Sequence, residues 1–303
     1  MIYILGAGSL GLLWVARLAR KGQSVTLLVR DARQQRLWQA AGNRLELQQN
    51  GQTQSFQVIT EHLSGHQPID YLLVCTKATD SLAAVQSLLP RLSPDCEILL
   101  MQNGLGSQQA ISRLLAPRRV LWASVTDGAW RDGRHRVVWA GAGQTLIGDP
   151  QQGPPAGWLR QFDGSIDWLW VDDIEQRLWL KLAVNCAINP YTVLFDCHNG
   201  EVPLHAGAEL DAVILELQSL LQHQGLSLTP AALGELVHSV IVKTAANSSS
   251  MRQDVHAGRQ TEIDYILGHA LCQARQHGLR TPLLADLHSR LRTHLQQAGI
   301  PTG

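Results

Sequence analysis

Met1-Ile2-Tyr3-Ile4-Leu5-Gly6-Ala7-Gly8-Ser9-Leu10-Gly11 opens the chain, and its reading decides the fold. Residues 1–5 are a short apolar run of β character. Residues 9–21 have helical spacing through Leu10, Leu13, Trp14 and Leu18, with Arg17, Arg20 and Lys21 near the end, where cations suit the helix dipole. Between the two lies G-x-G-x-x-G in strand–turn–helix context. The first glycine allows the tight turn, the second lets backbone approach a pyrophosphate, and the third lets helix and strand pack closely. The helix start adds unpaired N–H groups and a positive dipole end. Gly6, Ala7, Gly8, Ser9, Leu10 and Gly11 are therefore candidate dinucleotide-binding residues of a Rossmann-type turn.

Working outward, residues 25–29 read as a second strand. Residues 45–48 and 56–59 read as shorter strands flanking Asn50-Gly51, a hairpin signal. Residues 71–76 and 97–101 are nearly continuous apolar runs, which fit parallel strands covered on both faces, and residues 81–92 fit a crossover helix between them. Residues 120–126, 136–140 and 145–148 are expected to close the same sheet, partly antiparallel, with a hairpin turn at Gly141-Ala142-Gly143. A short helix and a strand over 166–171 finish this part. Beyond Asp172, helical patterns cover 174–189, 208–223, 231–246, 262–277 and 283–297. The expected fold class is an α/β Rossmann-type N-terminal domain (1–172, NADP-binding) followed by an all-α C-terminal domain (173–303, substrate and catalysis).

The chain has 303 residues, enough for about two domains at roughly 150 residues each. Twenty-five Lys and Arg balance 25 Asp and Glu, which argues against a nucleic-acid partner. Five cysteines with no C-x-x-C pair read as free thiols of a reducing cytoplasm. No apolar run approaches the ~18 residues of a membrane helix, so no membrane partner is expected. The twelve histidines show no compact metal spacing, and no metal is inferred. Oligomeric state stays open between monomer and homodimer.

The slot at the end of the second strand discriminates NAD from NADP. Here it reads Leu28-Val29-Arg30-Asp31. The planar fork of Arg30 matches a 2′-phosphate, and Lys77, past the strand 71–76, adds a second positive charge. A charge-assisted hydrogen bond of ~1.5–3 kcal/mol gives roughly ten- to a hundredfold preference for NADP(H). Asp31 in the ribose position would favour NAD instead. Asn103-Gly104 follows the strand 97–101 at its carboxyl end, where ligands of open α/β sheets sit; a plain Asn-Gly turn is the equal alternative.

The most informative helix runs from Arg177 to Asn189. At about 100° per residue, Lys181, Asn185 and Asn189 fall within about 80° on a wheel that is otherwise almost wholly apolar. A helix apolar nearly all round is buried, so this stripe must meet something polar. Pro190 is expected to end the helix at Asn189. Lys181 is the candidate general acid: hydride attack on a ketone leaves charge on oxygen, which an ammonium stabilises and protonates. Two further clusters, Asn247-Ser248-Ser249-Ser250 and Thr261-Glu262-Ile263-Asp264, read by spacing alone as a helix-end loop and a first-turn carboxylate.

Residues 6–11, Asn103-Gly104-Leu105-Gly106, residues 178–190 and Thr261-Glu262-Ile263-Asp264-Tyr265 occur in this order. Together they resemble the ketopantoate reductase (2-dehydropantoate 2-reductase) family, NADPH enzymes of pantothenate synthesis. The K-L-A-x-N-x-x-x-N-P and T-E-I-D-Y stretches are the specific ones. The resemblance implies a catalytic Lys181. It implies substrate contacts from Lys181, Asn185, Asn189, Asn199, Asn247, Ser248, Ser249 and Ser250, with Ser250 on the carboxylate. On the cofactor side it implies Arg30, Lys77, Asn103 and Ala129, with Glu262 where substrate and NADP(H) meet. It replaces the plainer reading of the serine cluster and of Glu262. The expected activity is NADPH-dependent reduction of 2-dehydropantoate to pantoate. The alternatives are a related 2-oxo acid reductase or β-hydroxy acid dehydrogenase, and a non-catalytic NADP(H) sensor.

Overall fold

The computed structural model describes residues 1–302, which divide into two compact units. The first comprises Met1–Gln102 and Ser107–Glu175. The second comprises Asn103–Gly106 and the chain from Gln176 on.

The first unit is built, in chain order, from β1 (Ile2–Leu5), α1 (Ser9–Arg20), β2 (Val25–Val29), α2 (Ala32–Ala40), β3 (Arg44–Gln49), β4 (Gln52–Gln57), β5 (Ile59–His62), β6 (Ile69–Val74), α3 (Ala78–Leu88), β7 (Leu92–Leu100), α4 (Ser107–Leu115), β8 (Val120–Val125), β9 (Gly128–Arg131), β10 (Arg136–Gly141), β11 (Thr145–Gly148) and β12 (Trp168–Trp170). Eight strands form one sheet in the order β12-β11-β8-β7-β6-β1-β2-β5. From β8 to β5 every neighbour is parallel, and β11 joins β8 antiparallel. β1, β2 and β8 are buried at every position, as continuous apolar runs require when both faces are covered.

Residues 120–148 do not all close that sheet, contrary to the sequence expectation. β9 and β10 join β3 and β4 in a second sheet, ordered β4-β3-β10-β9. The physical reason is legible in the burial. Leu45 and Leu47 on β3, and Val137 and Trp139 on β10, alternate with less buried neighbours, the mark of a sheet covered on one face. Those four side chains share a hydrophobic cluster with Leu13 and Trp14 of α1. The Gly141–Gly143 stretch is accordingly not a hairpin turn. It carries the chain from the small sheet to the large one, with Gly143 N donating to Asp127 Oδ1 at 3.1 Å. Asp127 also accepts from buried Arg17 at 3.0 Å and from Trp139 Nε1 at 3.1 Å, and the Arg17 guanidinium lies 4.4 Å from the Trp139 ring centroid. This paired, hydrogen-bonded charge fixes the small sheet to α1.

The second unit is helical: α5 (Ile174–Leu194, its first two residues in the first unit), α6 (Val202–Ala206), α7 (Ala208–His223), α8 (Pro230–Lys243), α9 (Ser250–His256), a π turn (Asp264–Gly268), α10 (His269–Gln276) and α11 (Pro282–Gln297). Two expectations are corrected. α5 does not stop at Asn189 but runs through Pro190 to Leu194. Tyr191 and Val193 are buried, and the Thr192 hydroxyl donates to the Asn189 carbonyl at 2.7 Å, so packing and a local bond outweigh the proline's preference. The helix expected over 262–277 is interrupted by the π turn, a geometry that recurs at functional sites. Among the described residues no single helix is long and apolar enough to cross a membrane.

Candidate active site

In the first unit the turn at residues 6–11 is closed around backbone. Gly6 has φ +109, and its N–H donates to Leu28 O at 3.4 Å. A Cβ at Gly11 would lie 2.0 Å from the Gly6 carbonyl oxygen, so only glycine lets α1 meet β1 here. Gly8 caps α1 without a side chain, and a Cβ there would meet nothing nearer than Cys75 O at 3.8 Å. No acidic residue occupies the first turn of α1. The start of α1 thus offers N–H groups and a positive dipole end with no capping side chain, which fits a pyrophosphate. The Thr76 hydroxyl, buried with no hydrogen-bond partner, belongs to the residue whose backbone closes on Gly6. These features pass NADP(H) as a fit for this unit.

Arg30 follows β2 and is exposed. Asp31, its competitor for the ribose slot, caps α2 by accepting from Gln34 N at 2.8 Å. Lys77 is half-buried at the N-cap of α3, three residues past the end of β6. Ala129 lies on β9, opposite Trp139, among the side chains that pack on the α1 cluster.

In the second unit the polar stripe expected from the sequence lies on α5. Leu182, Ala183, Val184, Cys186, Ala187 and Ile188 are buried, while Lys181 and Asn185 are half-buried. Lys181 Nζ donates to Asn103 Oδ1 at 3.0 Å, and Asn103 Nδ2 lies 3.4 Å from Glu262 Oε2. Asn103 therefore bridges an ammonium and a carboxylate, accepting from one and donating to the other. Burial pulls the Lys181 ammonium down to about 8, and the Glu262 charge opposes that fall. A group in this range holds its proton at neutral pH and releases it readily, which suits a general acid. Glu262 is buried, at the entry to the π turn.

The remaining predicted residues form two small networks. Asn189 and Ser249 are buried, and Thr192 joins them: its hydroxyl bonds the Asn189 carbonyl at 2.7 Å and Ser249 Oγ at 2.6 Å. Ser249 also caps α9, accepting from Arg252 N at 3.0 Å. Asn199 donates from N–H to Asn247 O at 3.1 Å and from Nδ2 to Thr244 Oγ1 at 2.9 Å. Its Oδ1 is buried without a hydrogen-bond partner. Asn247 and Ser250 are exposed, and Ser248 is half-buried, accepting from Arg252 at 3.3 Å. Sequence reasoning missed Thr192 and Thr244, and it placed Tyr265 in a motif without foreseeing the π turn that holds it. Thr192 stands on α5 and Thr244 caps the end of α8, neither with a local signal, and a π turn leaves no periodic signature in one sequence.

The chain matches the family described as ketopantoate reductase PanE/ApbA over residues 2–152, and the ketopantoate reductase PanE/ApbA C-terminal family over residues 173–295. It is 36% identical to the 2-dehydropantoate 2-reductase of Vibrio cholerae over 296 residues, covering 96% of this chain and 97% of that protein. Among solved structures it is similar to the probable 2-dehydropantoate 2-reductase of Bacillus subtilis, with TM-score 0.83, 29% identity, and 97% and 99% of the two chains covered. D-mandelate dehydrogenase, solved with NADH and anilino(oxo)acetate, shares the fold at TM-score 0.91 and 20% identity, covering 99% of this chain and 100% of that one. By the matched sequence over both units and by an α/β sheet followed by helices, this chain belongs to the ketopantoate reductase PanE/ApbA family.

Proposed function

We propose that the protein is an oxidoreductase that reduces 2-dehydropantoate to pantoate with NADPH, and that Lys181 is its general acid. One observation carries the assignment: a half-buried ammonium among the buried apolar residues of α5, held by Asn103 and pulled down to about 8. NADPH, when bound, supplies the hydride for the keto carbon. The Lys181 ammonium stabilises the negative charge that gathers on the keto oxygen and gives that oxygen its proton, leaving a 2-hydroxy acid. Asn103 aims the ammonium, and Glu262 keeps a compensating charge beside it.

On this reading residues 1–172 bind cofactor and residues 173–303 bind substrate. Gly6, Ala7, Gly8, Ser9, Leu10 and Gly11 hold the pyrophosphate, and Arg30 with Lys77 reads the 2′-phosphate. Ala129, Asn103 and Glu262 complete the cofactor side. The capping of α2 by Asp31 supports Arg30 over Asp31 as the discriminating residue. Asn185, Asn189, Asn199 and the segment Asn247, Ser248, Ser249, Ser250 bind substrate. The unpartnered Oδ1 of Asn199 is an acceptor suited to a substrate hydroxyl, and the serine hydroxyls are donors suited to a carboxylate. The five cysteines are free thiols, which fits work in a reducing cytoplasm, as monomer or homodimer.

The test is initial-rate NADPH oxidation against a panel of 2-oxo acids. The highest kcat/KM is expected for 2-dehydropantoate. A higher value for an aryl or unbranched 2-oxo acid would replace the substrate while keeping the chemistry.

A further inference from the structure

The segment Asn103–Gly106 groups with the helical unit although it directly follows a run of the sheet unit. Gly104 has φ +75, and a Cβ on it would lie 2.3 Å from the Tyr265 carbonyl oxygen and 2.7 Å from the carbonyl carbon. The next residue closes the contact: Leu105 N donates to that same Tyr265 oxygen at 2.9 Å, and the Leu105 side chain is fully buried. Tyr265 sits in the π turn (Asp264–Gly268) that Glu262 leads into. The far end of the segment is seated too. A Cβ on Gly106 would lie 3.0 Å from His269 Nδ1, and the His269 ring lies 5.4 Å from the ring of Trp179, two residues before Lys181 on α5.

We propose that Gly104 is a positioning residue for the reduction: by lying directly on the Tyr265 carbonyl it seats the backbone that holds the Asn103 amide between Lys181 and Glu262. The inference rests on Lys181 being the general acid. A side chain at 104 collides with backbone, not with a movable side-chain end, so the segment must lift and carry Asn103 with it. A displacement near 1 Å breaks a 3.0 Å hydrogen bond, and misplacement of that size costs up to about a hundredfold in rate. Loss of the Asn103 acceptor also disfavours the charged form of Lys181, on which burial already acts and for which Glu262 is the opposing charge.

The experiment compares Gly104→Ala with Gly278→Ala, each measured for kcat, KM, melting temperature and the pH dependence of kcat. Gly278 has φ +67 but open space around its Cβ position, so its alanine carries left-handed strain without a collision. Gly278→Ala is expected to keep wild-type kcat and pH dependence. Gly104→Ala is expected to lose about ten- to a hundredfold in kcat and to move the alkaline limb to lower pH. Leu105→Ala keeps the backbone N–H and removes only the buried anchor. It is expected to shift the limb the same way by less, and it decides the matter if Gly104→Ala does not fold. A wild-type kcat and limb in Gly104→Ala, or an unmoved limb in Leu105→Ala when the first variant is unfolded, overturns the inference. Near-normal kcat in Lys181→Ala would instead overturn the function on which it rests.

Discussion

The turn at residues 6–11 is made of backbone: its glycines admit close contacts, and the start of α1 presents N–H groups with no side chain in the cap. The site around Lys181 is made of side chains: an ammonium, an amide and a carboxylate in a row, brought together from sequence positions 181, 103 and 262. The difference teaches where substitution is tolerated and what it damages. A backbone cradle is lost by adding an atom. A side-chain constellation is lost by removing one. On the proposed function the first failure is expected to show in cofactor affinity and folding, the second in turnover.

Lys181→Ala should separate the two most sharply. It is expected to lower kcat by roughly 10²–10⁴, as for a lost general acid, with NADPH affinity unchanged in a fluorescence titration. Gly11→Ala should do the reverse. Its Cβ would sit 2.0 Å from Gly6 O, and overpacking of this kind costs ~1–3 kcal/mol, so NADPH affinity and melting temperature should fall together. An unchanged affinity would mean that the turn is not the cradle. Arg30→Ala adds a side-chain test to the backbone site. Loss of ~1.5–3 kcal/mol from one charge-assisted bond should shrink the NADPH-over-NADH ratio of kcat/KM by about ten- to a hundredfold. A constant ratio would assign the discrimination elsewhere. Ser249→Ala removes the cap of α9 and the partner of Thr192. It is expected to cost only about 1 kcal/mol of stability, read by thermal unfolding, with a rise in KM larger than the fall in kcat.

The backbone half of this comparison was the more legible in sequence. G-x-G-x-x-G after a strand specifies turn, helix and anion site within eleven residues, because all of its parts are local. The stripe Lys181, Asn185, Asn189 was legible for a similar reason, since helical periodicity alone places it on one face. What periodicity cannot reveal is the partner across space. By spacing alone Asn103 read equally well as a plain turn, and Glu262 as a first-turn carboxylate; the fold puts Asn103 on Lys181 and Glu262 on the other side of that amide. The second sheet was lost for a related reason: β3 and β10 pair in parallel across a gap of nearly ninety residues, and no local rule announces that. Alternation at Val137 and Trp139 was the available sign that β10 is covered on one face only. Pro190 misled because its preference is weaker than the packing of Tyr191 and Val193 beyond it.

The pH dependence of kcat for 2-dehydropantoate reduction, measured on wild type and on Lys181→Ala in parallel, tests the central claim most directly. Burial holds the Lys181 ammonium near 8, and only the protonated form can donate, so wild-type kcat should be level below that pH and fall as pH rises through about 8. In Lys181→Ala the residual rate should lack that limb. A limb of the same midpoint persisting in the variant would show that another group delivers the proton, and would contradict the assignment.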